Sequence, residues 1–254
     1  MKHNNTLDSL LRNTYFVFDL DGVLVNSQEI GRQAVNLALA TLGCSYTISR
    51  MEWYSVFIMQ GGSSGLNSKS FLKNVLDTDD LIDFHSARDR AWVSIIASQG
   101  IEIYRDALAL CRYCSKFAKG IGIVTNNDRS VLEIVLAYTP YGKLFGSFYI
   151  SARDLGLQKP DPQIIHALLD KFAINGIQKL VIIGDTMPDY ELARRFEKTV
   201  DYGVLPIIRI DPFLRRSGFD SDIASSLKNA FVVKHLKSET ITHLLLSNGT
   251  IQTQ

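Results

Sequence analysis

From Tyr15 to Leu20 the chain is apolar, β-branched or aromatic on both alternate faces, with Asp19 as its one polar residue. Such a run suits a strand buried on both faces, as in a parallel sheet covered by helices. Gly22 follows Asp21 and allows a sharp turn, so Asp19 and Asp21 should emerge outside the carboxyl end of the sheet, where open α/β sheets place their ligands. Residues two apart in extended chain project to the same side. Two carboxylates held that close repel unless a cation lies between them or one keeps its proton, and either outcome suits phosphoryl chemistry.

Three further segments carry polar groups past strand-like runs. Gly120 to Val124 leads into Thr125-Asn126-Asn127. Gly156-Leu157-Gln158-Lys159-Pro160-Asp161-Pro162 presents a lysine ahead of a helix that Asp161 should cap and Pro162 should begin. Lys179 to Ile183 runs into Gly184-Asp185-Thr186-Met187-Pro188-Asp189. Each has an ordinary structural reading: a strand-end turn at Asp19 and Asp21, a helix cap at Thr125, a surface lysine at Lys159, solvated helix-start acids at Asp185 and Asp189. Four such segments in order, each after an apolar strand, favour a shared site.

The sequence from Phe16 to Ser27, Phe-Val-Phe-Asp-Leu-Asp-Gly-Val-Leu-Val-Asn-Ser, resembles the opening motif of the phosphatase branch of the haloacid dehalogenase superfamily, and the three later segments resemble its other motifs in the same order. The resemblance extends to the branch of phosphoglycolate phosphatases and β-phosphoglucomutases with a helical cap. It implies an α/β fold, a doubly wound (Rossmann-like) parallel sheet core with an inserted helical cap domain. It also implies that Asp19 is the nucleophile and Asp21 the acid and base, with Thr125, Asn126 and Lys159 holding the phosphoryl group. Mg²⁺ would be held by Asp19, Asp185 and the Asp21 backbone carbonyl, with Asp189 in the same metal-binding group. The expected activity is hydrolysis of a small phosphorylated metabolite through an aspartyl-phosphate.

A direct strand–helix–strand unit needs about 30 residues, and the interval between the first two motifs is far longer. Apolar Ile30, Ala34, Leu37, Ala38 and Leu42 recur at helical spacing with Gly43 placed to end the helix, and further helical runs lie at 52–59, 68–76 and 81–98. The expected division is a catalytic core of residues 1–26 and 101–254 and a cap of residues 27–100. Gly61, Gly62, Ser63 and Ser64 belong to a glycine-rich stretch that could face the substrate or simply turn the chain. Trp53, Tyr54, Phe57 and Trp92 are expected in the core of the cap rather than in a pocket.

Relatives with other chemistries are distinguishable by residue. Dehalogenases of the superfamily lack the second acid, which Asp21 supplies, and phosphonate-cleaving members carry a lysine early in the cap, where residues 27–60 have none. A sugar phosphomutase shares all four motifs and is the alternative enzyme; Lys69 or Arg88 could supply the second phosphate grip. A catalytically idle binder is the alternative outside enzymology. Phosphoglycolate, a hexose phosphate or a nucleoside monophosphate would all suit the motifs.

The 254 residues are 46% hydrophobic, enough for one sizeable core and a smaller satellite. A net charge of +1 gives no basic field for nucleic acid, and no apolar run has membrane-spanning length. The polar start and three cysteines suit a cytoplasmic protein, monomer or homodimer, with no membrane partner. Cys111 and Cys114 read as helix packing residues rather than zinc ligands. His85, His166, His235 and His243, and the pairs Arg194-Arg195 and Arg215-Arg216, read as structural or solvated. Residues 211–222 look like a long surface excursion.

Overall fold

The computed structural model describes residues 2–58, 66–210, 227 and 229–249. Among these, six strands form one parallel sheet: β1 (Thr14–Phe18), β4 (Gly120–Thr125), β5 (Tyr149–Ser151), β6 (Lys179–Gly184), β7 (Gly203–Arg209) and β8 (Phe231–Val233), in the order β5-β4-β1-β6-β7-β8. The first strand is therefore central, and the chain builds outward on one side of it before crossing to the other. That reversal opens a crevice at the carboxyl ends of the strands.

Strand alternation divides the core into two layers. Phe16 and Phe18 of β1 face one cluster with Ile121, Ile123, Val181, Ile183 and Ile207, covered by α6 (Arg105–Phe117), α7 (Arg129–Tyr138), α8 (Tyr141–Phe145) and α11 (Ser238–Gly249). Tyr15 and Val17 face the other, with Leu180 and Ile182, covered by α9 (Gln163–Lys171) and α10 (Met187–Phe196). The doubly wound α/β core expected from the sequence is what the chain adopts.

Between β1 and β4 the chain forms a short antiparallel pair, β2 (Val25–Asn26) with β3 (Glu102–Ile103), and between those two strands lie helices. These are α2 (Gln28–Thr41), α3 (Arg50–Glu52) running on as a π-helix over Trp53–Ile58, α4 (Leu66–Val75) and α5 (Thr78–Gln99). Val35, Leu39, Trp53, Phe57, Leu72 and Phe84 form an apolar cluster of their own. Trp53 and Phe57 are thus core residues of the insertion, whereas Trp92, also buried, joins the first core layer; the side chain of Tyr54 lies outside the described residues. No described helix is long and apolar enough to cross a membrane.

Several boundaries differ from expectation for identifiable reasons. The first strand ends at Phe18 rather than Leu20: the Asp19 amide still donates to Ile183 O, but Leu20 O turns to accept from Leu24 and Val25. The helix expected from residue 52 starts at Arg50, because Ser49 and Glu52 form a reciprocal capping box. The polar N-terminal segment is a helix, α1 (Lys2–Arg12), whose Leu7, Leu10 and Leu11 pack on the first core layer. Gly61, Gly62, Ser63 and Ser64, and residues 211–222, lie outside the described residues.

Candidate active site

The carboxyl ends of β1, β4 and β6 and the segment after β5 deliver polar side chains to one place. Asp19 is the first residue past β1, and its Oδ1 lies 2.7 Å from Lys159 Nζ and accepts the Leu20 amide at 2.7 Å. Lys159 Nζ also donates to Asp189 Oδ1 at 2.8 Å. Asp189 is in the first turn of α10, and its Oδ2 accepts from the Thr186 hydroxyl at 2.5 Å and the Thr186 amide at 3.2 Å. One carboxylate thereby fixes both a helix start and the lysine that faces Asp19. Lys159 is 4% exposed, Asp185 3% and Asp189 2%, so these charges interact through protein rather than water.

Thr125 ends β4, and its Oγ1 accepts from the Asn127 amide at 3.1 Å. Asn126 Oδ1 accepts from the Lys159 amide at 2.9 Å, which ties the second polar segment to the third. Asn127 was not among the residues singled out from the sequence, yet its Nδ2 donates to Asp21 Oδ2 at 2.6 Å. Its position next to Thr125 and Asn126 was the available signal. Asp161 Oδ1 accepts from Gln163 at the start of α9, as a capping residue should.

The two leading acids have different surroundings. Burial pushes Asp19 up to about 8, with the Lys159 charge opposing and Asp189 and Asp21 reinforcing. Burial also raises Asp21, against the Ser27 hydroxyl, the Lys159 charge, the Asn127 amide and the Arg88 charge. Lys159 is lowered by burial but raised by more through Asp189 and Asp19, so it stays a cation.

Carboxylate atoms of Asp19, Asp185 and Asp189 all lie within 4.8 Å of one another. An all-oxygen, all-carboxylate set of this spacing suits a hard divalent cation such as Mg²⁺ rather than a softer transition metal. Gly22 is part of the same fit: at φ +69° its backbone approaches Asp185 so closely that a Cβ there would stand 1.8 Å from Asp185 Oδ2.

Residues 14–197 match the haloacid dehalogenase-like hydrolase family. The chain belongs to that family. The hydrolase resembles the protein CbbY of Rhodobacter capsulatus, 24% identical over 58% of this chain and 66% of that one. It also resembles the phosphoglycolate phosphatase of Rhodospirillum rubrum, 29% identical over 70% of this chain and 74% of that one. The fold is shared with CbbY of Rhodobacter sphaeroides, solved in complex with phosphate, at a TM-score of 0.69 and 16% identity over 88% of this chain and 95% of that one. The same protein has been solved as a variant with xylulose-(1,5)bisphosphate.

Proposed function

We propose that this hydrolase is a Mg²⁺-dependent phosphomonoesterase that acts on a small phosphorylated metabolite through an aspartyl-phosphate on Asp19. The observation that carries the reading is the division of labour between the two acids. Asp19 is paired with Lys159 at 2.7 Å, whereas Asp21 is held by Asn127 at 2.6 Å. Pairs of carboxyls in unlike environments are how one site supplies a nucleophile and a proton donor.

Asp19 attacks phosphorus in line, and the ester P–O bond breaks as the new O–P bond forms. Asp21, whose carboxyl burial raises, gives its proton to the departing alkoxide. In the second displacement Asp21, now ionised, takes a proton from the water that attacks the aspartyl-phosphate and returns Asp19. Acid–base assistance of this kind contributes roughly 10²- to 10⁴-fold. The Thr125 hydroxyl, the Asn126 amide and the Lys159 ammonium bind the non-bridging oxygens, with Lys159 kept in place by Asp189. Asp19, Asp185 and the Asp21 carbonyl would hold Mg²⁺, with Asp189 bordering it; when bound, the ion supplies positive charge that favours ionised Asp19 and orients the phosphoryl group.

The proposed organisation is a core of residues 1–26 and 101–254 and a cap of residues 27–100. Support comes from the separate apolar cluster within the helices and from the β2–β3 pair through which the chain leaves and re-enters the core. Small phosphorylated substrates accord with the bisphosphate and phosphate complexes of the CbbY fold relative. A cytoplasmic setting accords with Cys44, Cys111 and Cys114 all being free thiols.

The test is phosphate release from a panel of small phosphomonoesters, with and without Mg²⁺, for the wild type and Asp19→Asn. Release that needs the metal and disappears in the variant is expected. Transfer between sugar positions with no net release would replace the hydrolase with a mutase, and undiminished release by Asp19→Asn would remove the nucleophile assignment.

A further inference from the structure

The turn that carries Asp21 is held from below by a residue on a strand that contributes nothing else to the site. Arg209 ends β7, is 2% exposed, and donates from Nη1 to Val23 O at 2.8 Å and from Nη2 to Asp106 Oδ1 at 3.1 Å. Its guanidinium lies 3.8 Å from the centre of the Tyr104 ring. Asp106 is itself fixed, accepting the Leu236 amide at 3.0 Å and the Ala107 amide at 2.9 Å.

Among the described residues, the partners of Arg209 lie beside the β2–β3 pair. Val23 lies between Asp21 and β2, while Tyr104 and Asp106 follow β3 directly. The Tyr104 amide donates to Leu24 O at 3.0 Å, as does the Tyr141 hydroxyl at 3.0 Å. Leu24 and Val25 donate back to Leu20 O, and Gly22 donates to Val25 O. The turn from Leu20 to Val25 is thus braced by its own backbone bonds, and among the described residues the cationic side chain that donates to its carbonyls is Arg209. A planar, delocalised fork can hold a carbonyl and a carboxylate while stacking on a ring, which an ammonium cannot do.

We infer that Arg209 is a positioning residue for Asp21: it sets the height and tilt of the turn on which the proton donor stands, and it locks that turn to the strand returning from the cap. The inference rests on the proposed role of Asp21. A misplacement of about 1 Å in a catalytic group can cost on the order of 10²-fold in rate. At saturating Mg²⁺ the loss should fall on proton donation, because the Asp19–Lys159 pair hangs on β1 and the third segment; the Asp21 carbonyl offered to the ion shares the turn, and its displacement should show instead as a higher Mg²⁺ requirement with both esters.

The experiment compares kcat/KM, which reports the first displacement, for an alkyl phosphate that needs its leaving group protonated and a nitrophenyl phosphate that does not. Arg209→Lys and Arg209→Met are measured beside the wild type, with thermal unfolding of each. The expected result is a loss of roughly 10- to 100-fold with the alkyl ester and less than about 3-fold with the aryl ester, with Arg209→Lys the milder of the two. Equal loss with both esters, or no loss with either, would overturn the assignment while leaving the phosphatase reading intact. A wild type inactive on both esters would remove the phosphatase reading itself. Should both Arg209 variants fail to fold, Asp106→Asn and Tyr104→Leu, which loosen the same anchor from either side, must reproduce the leaving-group split or the inference falls.

Discussion

Gly22 shows how one position serves both backbone and chemistry. Its φ of +69° is costly for any residue with a Cβ, by about 1–2 kcal/mol, and that Cβ would collide with Asp185. Gly22→Ala should therefore lower the melting temperature by at least about 2–8 °C while lowering kcat by roughly 10²-fold, as scanning calorimetry and steady-state kinetics would show. Asp19 provides a test in pH. Its folded value of about 8 lies above the ordinary ~3.9, so the folded chain holds a proton more tightly than the unfolded chain. That contribution is complete below about pH 4 and is lost as pH rises through 8. In metal-free buffer the wild type should lose thermal stability between pH 5 and 8, whereas Asp19→Asn should lose less and be the more stable of the two at pH 8 by ~2–6 °C. Parallel curves would mean that Asp19 is already ionised without a cation. Burial raises the thiols of Cys111 and Cys114, both fully enclosed in α6, while Cys44 is half-buried. A thiol reagent at pH 8 should modify no more than one cysteine in the native chain and all three after unfolding.

At the scale of elements, α5 is the main tie between the helical insertion and the sheet. Ala91, Trp92 and Ile96 of α5 share an apolar cluster with Val131, Leu132 and Val135 of α7. Beside them Asp89 accepts from Arg88 at 2.5 Å within α5 and from Arg153, past β5, at 2.8 Å. Arg88 and Asp89 are both buried, and the charge of Arg153 acts against that of Arg88, so Asp89 is what lets two arginines approach. Asp89→Asn should cost about 1–3 kcal/mol. If the insertion is a cap separate from the core, as proposed, the amides of α5 should lose protection in hydrogen exchange before those of β1. If β1 and α5 lost protection together, the two would form one cooperative unit. The helix α1 makes a different point. Its leucines at 7, 10 and 11 are an i, i+3, i+4 stripe, but a stripe that short is outweighed by polar neighbours until α6 and α11 are there to cover it.

For the molecule as a whole, the parts legible in the sequence were those in which local chain carries the information. Phe16 and Phe18 alternate with Tyr15 and Val17, so a two-sided strand could be read from these four residues. The short polar segments after the strands named Asp19, Asp21, Thr125, Asn126, Lys159, Asp185 and Asp189, and the structure brings these to one crevice because parallel strands put all their carboxyl ends on one edge. What escaped were contacts made across the sheet. Arg209 meets Val23 over a separation of 186 residues, Asn127 meets Asp21 over 106 and Arg153 meets Asp89 over 64, and no periodicity records such pairings. The central claim is that Asp19 becomes phosphorylated. The most direct measurement is acid quench of Asp21→Asn during turnover of an aryl phosphate with Mg²⁺, followed by borohydride reduction and peptide mass spectrometry. Conversion of residue 19 to homoserine is the expected result; a phosphoryl adduct on any other residue, or free phosphate produced with residue 19 unmodified throughout, would contradict the account.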